Sequence, residues 1–120
     1  MRGILLQITC LAVFSLGLPA QNTIVEYEEP QLAQTAAGVV TDPMGAVIPH
    51  VTVEERSEDW KTVLRSSETD NHGRFRLSRG PNTTIYYLKF SRDGFNRVRI
   101  KLQVEKKAAS GVVVKLPVAT

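Results

Sequence analysis

Apolar and polar residues alternate with period two through most of this chain. The clearest run is Phe95–Val104, with Val98, Ile100, Leu102 and Val104 on one side and Arg97, Arg99, Lys101 and Gln103 on the other. Successive strand side chains point to opposite faces, so such a run predicts a strand with one buried face. Ile85–Ser91 is rich in aromatic and branched residues, which suit a half-buried pleated surface. In Val51–Arg56, Val51 and Val53 alternate with Thr52 and Glu54; in Gly111–Leu116, Val112, Val114 and Leu116 alternate with polar or outward positions. Shorter runs at Ala37–Thr41, Lys61–Ser67 and Phe75–Ser78 bring the expected strands to seven. Beyond residues 1–20, no stretch sustains a helical period.

Turn chemistry separates these runs. Asp42-Pro43-Met44-Gly45, Asp70-Asn71-His72-Gly73 and Arg92-Asp93-Gly94 place carboxylates or amides that bond their own backbone beside glycines that accept positive φ. The second of these throws the chain straight into a strand where Phe75 and Leu77 alternate with Arg74, Arg76 and Ser78. Short strands with turns about every 8–12 residues predict an all-β fold, a seven-stranded antiparallel β-sandwich with two sheets packed face to face. Residues 21–35 carry Glu26, Glu28, Glu29, Pro30 and several glutamines with no sustained period, and read as a flexible N-terminal leader. The sandwich domain is expected over residues 36–117.

Residues 1–20 follow another pattern. Arg2 is their only charge; an apolar run from Ile4 to Leu18 follows, closed by Pro19 and Ala20. This is the layout of a secretory signal peptide, with cleavage expected after Ala20 and a mature chain beginning at Gln21. The run is shorter than the ~20 residues a spanning helix needs, so the mature chain is not expected to be an integral membrane protein. Cys10, the one cysteine, lies within this segment, which leaves the mature domain without a disulfide. A single core of this size can be stable unaided. Secretion, or residence in the periplasm or cell envelope, is the expected location.

Composition is that of an ordinary globular domain, 42% hydrophobic and 22% charged. Charge is polarised along the sequence. Between Gln21 and Trp60 only Arg56 opposes a run of acidic residues, whereas from Lys61 onward basic residues dominate. Arg97, Arg99 and Lys101 share one strand face, where an anion could bind or where the sandwich simply meets water. Export argues against nucleic acid as the partner. Trp60, in a polar stretch at a loop, and Tyr87, one of two adjacent tyrosines that must face opposite sides, are candidates for stacking a sugar; a core or rim role is the plainer account. Trp60, Tyr87, Arg97, Arg99 and Lys101 are therefore the candidate ligand-binding residues.

No catalytic constellation emerges. Zinc chemistry needs several histidine or carboxylate ligands, and the chain has only His50 and His72. A His50–His72–Asp70 metal site would require two loops to meet, so no metal and no cofactor is expected. Asp70-Asn71 lacks the later carboxylates of a calcium loop. There is no mature cysteine nucleophile and no glycine-rich phosphate loop.

Gly38-Val39-Val40-Thr41-Asp42, Gly45, Ile48-Pro49 and Val51-Thr52-Val53 resemble the opening of the carboxypeptidase regulatory-like domain. Thr69-Asp70, Gly73, Phe75 and Leu77 resemble its central hairpin, and Tyr87-Leu88 with Gly94-Phe95 a later segment. His50-Val51 stands where that family tends to have a small pair such as Gly-Ala, and Val47 where a proline is frequent. The resemblance implies a transthyretin-like, Ig-like Greek-key sandwich, common on exported bacterial proteins and used as a non-catalytic accessory module. The expected function is an exported module for protein interaction or scaffolding in the cell envelope, with another envelope or secreted protein as partner. The alternative is a carbohydrate-binding module using exposed aromatics. A third reading, a transthyretin-related or metal-dependent hydrolase, meets a C-terminus (Leu116-Pro117-Val118-Ala119-Thr120) without the Tyr-Arg-Gly-Ser tail that the resemblance would require.

Overall fold

A computed structural model of the chain describes residues 23–78 and 83–119. The expected signal segment, residues 1–20, lies outside the described residues. Among the described residues there are nine strands: β1 (Ile24–Glu26), β2 (Gln31–Ala33), β3 (Ala37–Thr41), β4 (Thr52–Arg56), β5 (Val63–Glu68), β6 (Arg74–Arg76), β7 (Ile85–Ser91), β8 (Arg97–Val104) and β9 (Val112–Lys115). They form two sheets. The larger runs β1-β8-β7-β4-β5, with β2 also on β8, and the smaller runs β6-β3-β9.

The alternation read from the sequence places the core. Tyr86, Leu88 and Phe90 of β7 and Val98, Ile100 and Leu102 of β8 are all within 1% of complete burial. From the small sheet, Val40, Phe75 and Val114 meet them, joined by Leu116 just past β9. Phe75 and Phe90 pack edge to face across the sandwich, with centroids 5.2 Å apart. Burying each large apolar side chain contributes about 1.5–3 kcal/mol, so the core alone outweighs any surface contact described below. Gly38 is required where β3 passes β9, because an added Cβ would lie 2.7 Å from Val112 Cγ1.

Three expectations are corrected. The described residues hold nine strands, not seven. The sheets are mixed and not purely antiparallel, because β3 pairs β9 in parallel and β1 and β2 pair β8 in parallel. Of the expected flexible leader, residues 21–35, the described part from residue 23 onward holds β1 and β2. β1 runs along Arg97–Arg99 and β2 along Leu102–Val104. Val25 packs on the core and Ala33 is fully buried. The physical reason is the edge of β8: an eight-residue strand with its backbone groups exposed is a pairing liability, and two short strands cover it.

The Asp70–Gly73 turn behaves as its residues suggest. Asp70 Oδ1 accepts from the N–H groups of His72 (2.8 Å) and Arg74 (2.9 Å), and Gly73 takes φ 72°. Those backbone donors hold the Asp70 carboxyl below the usual aspartate range. The preceding Thr69 is buried. Its hydroxyl accepts from the Val51 N–H and donates to the Ile48 carbonyl, both at 2.9 Å.

Candidate functional site

Residues of the large sheet that face away from the core form one continuous surface. On β8 these are Arg97, Arg99 and Lys101; on β7, Tyr87 and Lys89; on β4, Thr52, Glu54 and Arg56. The register sets Tyr87 opposite Lys101 and Arg56, and Lys89 opposite Arg99 and Glu54. Of the adjacent tyrosines, Tyr86 is the buried one, and its neighbour faces out.

Trp60 reaches this surface from the β4–β5 loop. Asp59 Oδ1 accepts from the Ser57 hydroxyl (2.6 Å) and the Lys61 N–H (2.9 Å), and the Trp60 N–H donates to the Ser57 carbonyl at 2.8 Å. The Ser57 hydroxyl, and then the Lys61 N–H, hold the Asp59 carboxyl below its ordinary value. In this loop Trp60 adopts φ 69°, a left-handed conformation that costs a non-glycine residue about 1–2 kcal/mol. Arg56 Nη1 donates to the Trp60 carbonyl at 2.9 Å and pins the residue there.

The half-buried indole then lies over the sheet. Its ring centroid is 4.2 Å from the Arg99 guanidinium carbon and 5.6 Å from the Tyr87 ring, which stands perpendicular to it. A guanidinium over an indole is worth roughly 0.5–2 kcal/mol, depending on desolvation. All five candidate residues (Trp60, Tyr87, Arg97, Arg99 and Lys101) therefore share one face, with Trp60 packed against both Tyr87 and Arg99.

Two further members were not singled out from the sequence. Arg56 is paired to Glu54 at 2.6 Å. Lys89 has its pKa held below the ordinary lysine value, first by burial and then by the charges of Arg56 and Arg97. Alternation with Tyr87 already placed Lys89 outward; which neighbours it would face depended on strand order. Glu26 of β1 adds a weak contact to Arg99 at 3.9 Å. At the Arg97 end the face runs into an open, polar cleft of about 720 Å³, lined by His50, Thr52, Glu68, Ser91 and Arg97 among others. His50 Nδ1 lies 3.5 Å from Glu68 Oε1 there.

The two histidines part company. His50 lines that cleft, whereas His72 lies on the Asp70 turn with Arg74 Nη2 3.3 Å from its Nδ1. Among the described residues, no group of three or more His, Cys, Asp or Glu is arranged to hold a metal ion.

A second surface is the β5 edge. All six residues from Val63 to Glu68 are exposed, and β5 pairs only with β4 among the described strands. Val63 and Leu64 are 43% and 54% exposed, so apolar area sits on an open edge. The small sheet does not cover the inward side of β5, where Arg65 Nη2 closes on the buried Glu55 carboxylate at 2.8 Å.

Residues 35–117 match the family model described as the carboxypeptidase regulatory-like domain. No curated protein matches the chain.

Proposed function

The chain belongs to the carboxypeptidase regulatory-like domain family, whose members are non-catalytic β-sandwich modules, and on that premise we propose that it is an exported interaction module that captures an extended segment of another envelope or secreted protein. The observation that carries this reading is the β5 edge. An extended peptide added beside β5 would satisfy backbone groups that now face outward, while Val63 and Leu64 would supply apolar contact. The opposite edge of the large sheet is already covered by β1 and β2. The register shift between Glu55 and Arg56 bends one end of the hairpin, which leaves Arg65–Glu68 as the regular part of the edge. Export is supported by the basic start, apolar middle and small-residue close of residues 1–20.

The test places a photo-crosslinking residue at Leu64, and in a control chain at the equally exposed Val113 of β9, with the full chain expressed in a bacterial host. The reading expects a discrete protein adduct from position 64 only, in the periplasmic or envelope fraction, on a chain whose first residue is Gln21. Equal adducts from both positions, or none from position 64, would sink the edge reading. Recovery in the cytoplasm with Met1 retained would sink the exported one.

A further inference from the structure

We propose that the outer face of the large sheet binds a carboxylated polysaccharide, a chain of uronate sugars laid along β7 and β8, with Trp60 and Tyr87 against a sugar ring and Lys89, Arg97 and Lys101 against its carboxylates. This does not rest on the edge reading, whose apolar contacts are Val63 and Leu64; Glu68 is the one β5 residue the two surfaces share.

Three observations converge. The first is uncompensated charge. Among the described residues, Lys89, Arg97 and Lys101 form no ion pair with protein carboxylates; Glu54 is taken by Arg56, and Glu26 reaches only Arg99. Alternate residues on a strand stand about 6.5–7 Å apart, so Arg97, Arg99 and Lys101 form a linear row of cations. A flexible chain with regularly spaced anions can match such a row. The pKa of Lys89 is lowered first by burial and then by the charges of Arg56 and Arg97, and an added anion would favour its charged form.

The second is the strained loop. A left-handed tryptophan is a local cost that persists only where its surroundings impose it. Here the Arg56 bond to its carbonyl and the Asp59-capped turn impose it, and the outcome is an indole laid on the sheet beside Tyr87 and the cation row. Glycine would satisfy the turn without strain but would present no ring.

The third is the polar cleft at the Arg97 end. The Thr52 and Ser91 hydroxyls and the Glu68 and His50 side chains offer donors and acceptors suited to sugar hydroxyls. That mixture separates the possible occupants. A flat membrane cannot fill the polar cleft, and an indole with a guanidinium stacked on it is not free to insert into lipid. A sugar chain uses anions, rings and hydroxyls together.

The experiment titrates the mature chain with oligogalacturonate by calorimetry, at low and at physiological salt. Fully methyl-esterified oligogalacturonate, single-stranded DNA and phosphatidylglycerol vesicles are run beside it. The proposal expects oligogalacturonate binding that survives physiological salt and weakens about tenfold or more on esterification, a loss of roughly 1.4 kcal/mol. Arg97→Gln and Lys101→Gln, partly exposed changes that leave the core intact, should each weaken it severalfold. Trp60→Ala should do the same, with an unchanged circular dichroism spectrum as the folding control. Comparable binding of DNA and oligogalacturonate that vanishes at physiological salt would reduce the face to a generic polyanion surface and overturn the proposal. Tighter binding of the vesicles, indifference to esterification, or no binding of oligogalacturonate would overturn it as well.

Discussion

One hydroxyl, that of Thr69, ties the start of β4 to the Asp70–Gly73 turn. It accepts from the Val51 N–H and donates to the Ile48 carbonyl, and the residue is 2% exposed. Valine would keep the shape and leave both backbone groups buried without a partner, at about 1–3 kcal/mol for each. Thr69→Val is therefore expected to lower unfolding stability by about 2–4 kcal/mol, and Thr69→Ser by less than half as much, read from urea midpoints. A Thr69→Val loss near the ~0.5 kcal/mol of an ordinary surface change would show that this bridge does not hold the turn. The same bridge accounts for His50. Its backbone is left-handed, φ 59°, at the position where the family resemblance led one to expect a small residue. The turn is not loosened by the larger side chain, because the His50 N–H donates to the Thr69 carbonyl at 3.1 Å and the Thr69 hydroxyl takes the next N–H. Histidine is among the non-glycine residues that tolerate this region best.

β1 and β2 raise the question of how much three residues can contribute. Each pairs with β8 in parallel, and between them they bring Val25 and the fully buried Ala33 to the core and cover the β8 edge. A chain beginning at Gln34 should lose about 3 kcal/mol or more from lost apolar burial and unpaired backbone. It should also exchange the Arg97–Val104 amides faster than the intact chain and self-associate through the freed edge. Unchanged exchange in β8 and a monomer by ultracentrifugation would mean that these strands are ornamental. Neither strand was legible in the sequence. Three residues give too little alternation to distinguish from a loop, Pro30 falls between them, and a parallel pairing leaves no hairpin turn to announce it. β7 and β8 were legible because seven and eight residues hold the period throughout. The site divides in the same way. Period two puts Arg97, Arg99 and Lys101 on one face, but the arrival of Trp60 depends on a left-handed loop residue and on strand order, and neither is written in local pattern.

Charge polarity along the sequence becomes spatial only in part. The acidic half supplies β4 to the middle of the large sheet, so Glu54 stands beside Lys89, and β1 brings Glu26 to Arg99. These carboxylates soften the cation row without cancelling it. Lys89 registers the balance: burial lowers its pKa first, Arg56 from β4 and Arg97 from β8 lower it next, Glu54 raises it, and Arg99 lowers it slightly. The direction fixes a sign. Between the lowered folded pKa and the ordinary lysine value, the unfolded chain holds a proton that the folded chain has released, so unfolding free energy rises with pH across that alkaline window. Below the folded pKa the charged Lys89 works against folding. Lys89→Met should therefore be more stable than the wild type at neutral pH and low salt, by less than about 1 kcal/mol given the screening at a partly exposed site. The difference should shrink as salt is added and as pH rises through the alkaline window, measured as paired denaturant curves. If Lys89→Met is neutral or destabilising at low salt, Glu54 and Glu26 already balance the face, and the energetic motive for an anionic ligand is gone. If it stabilises and also abolishes oligogalacturonate binding, the face gives up folding stability to keep its cations together, as binding surfaces commonly do.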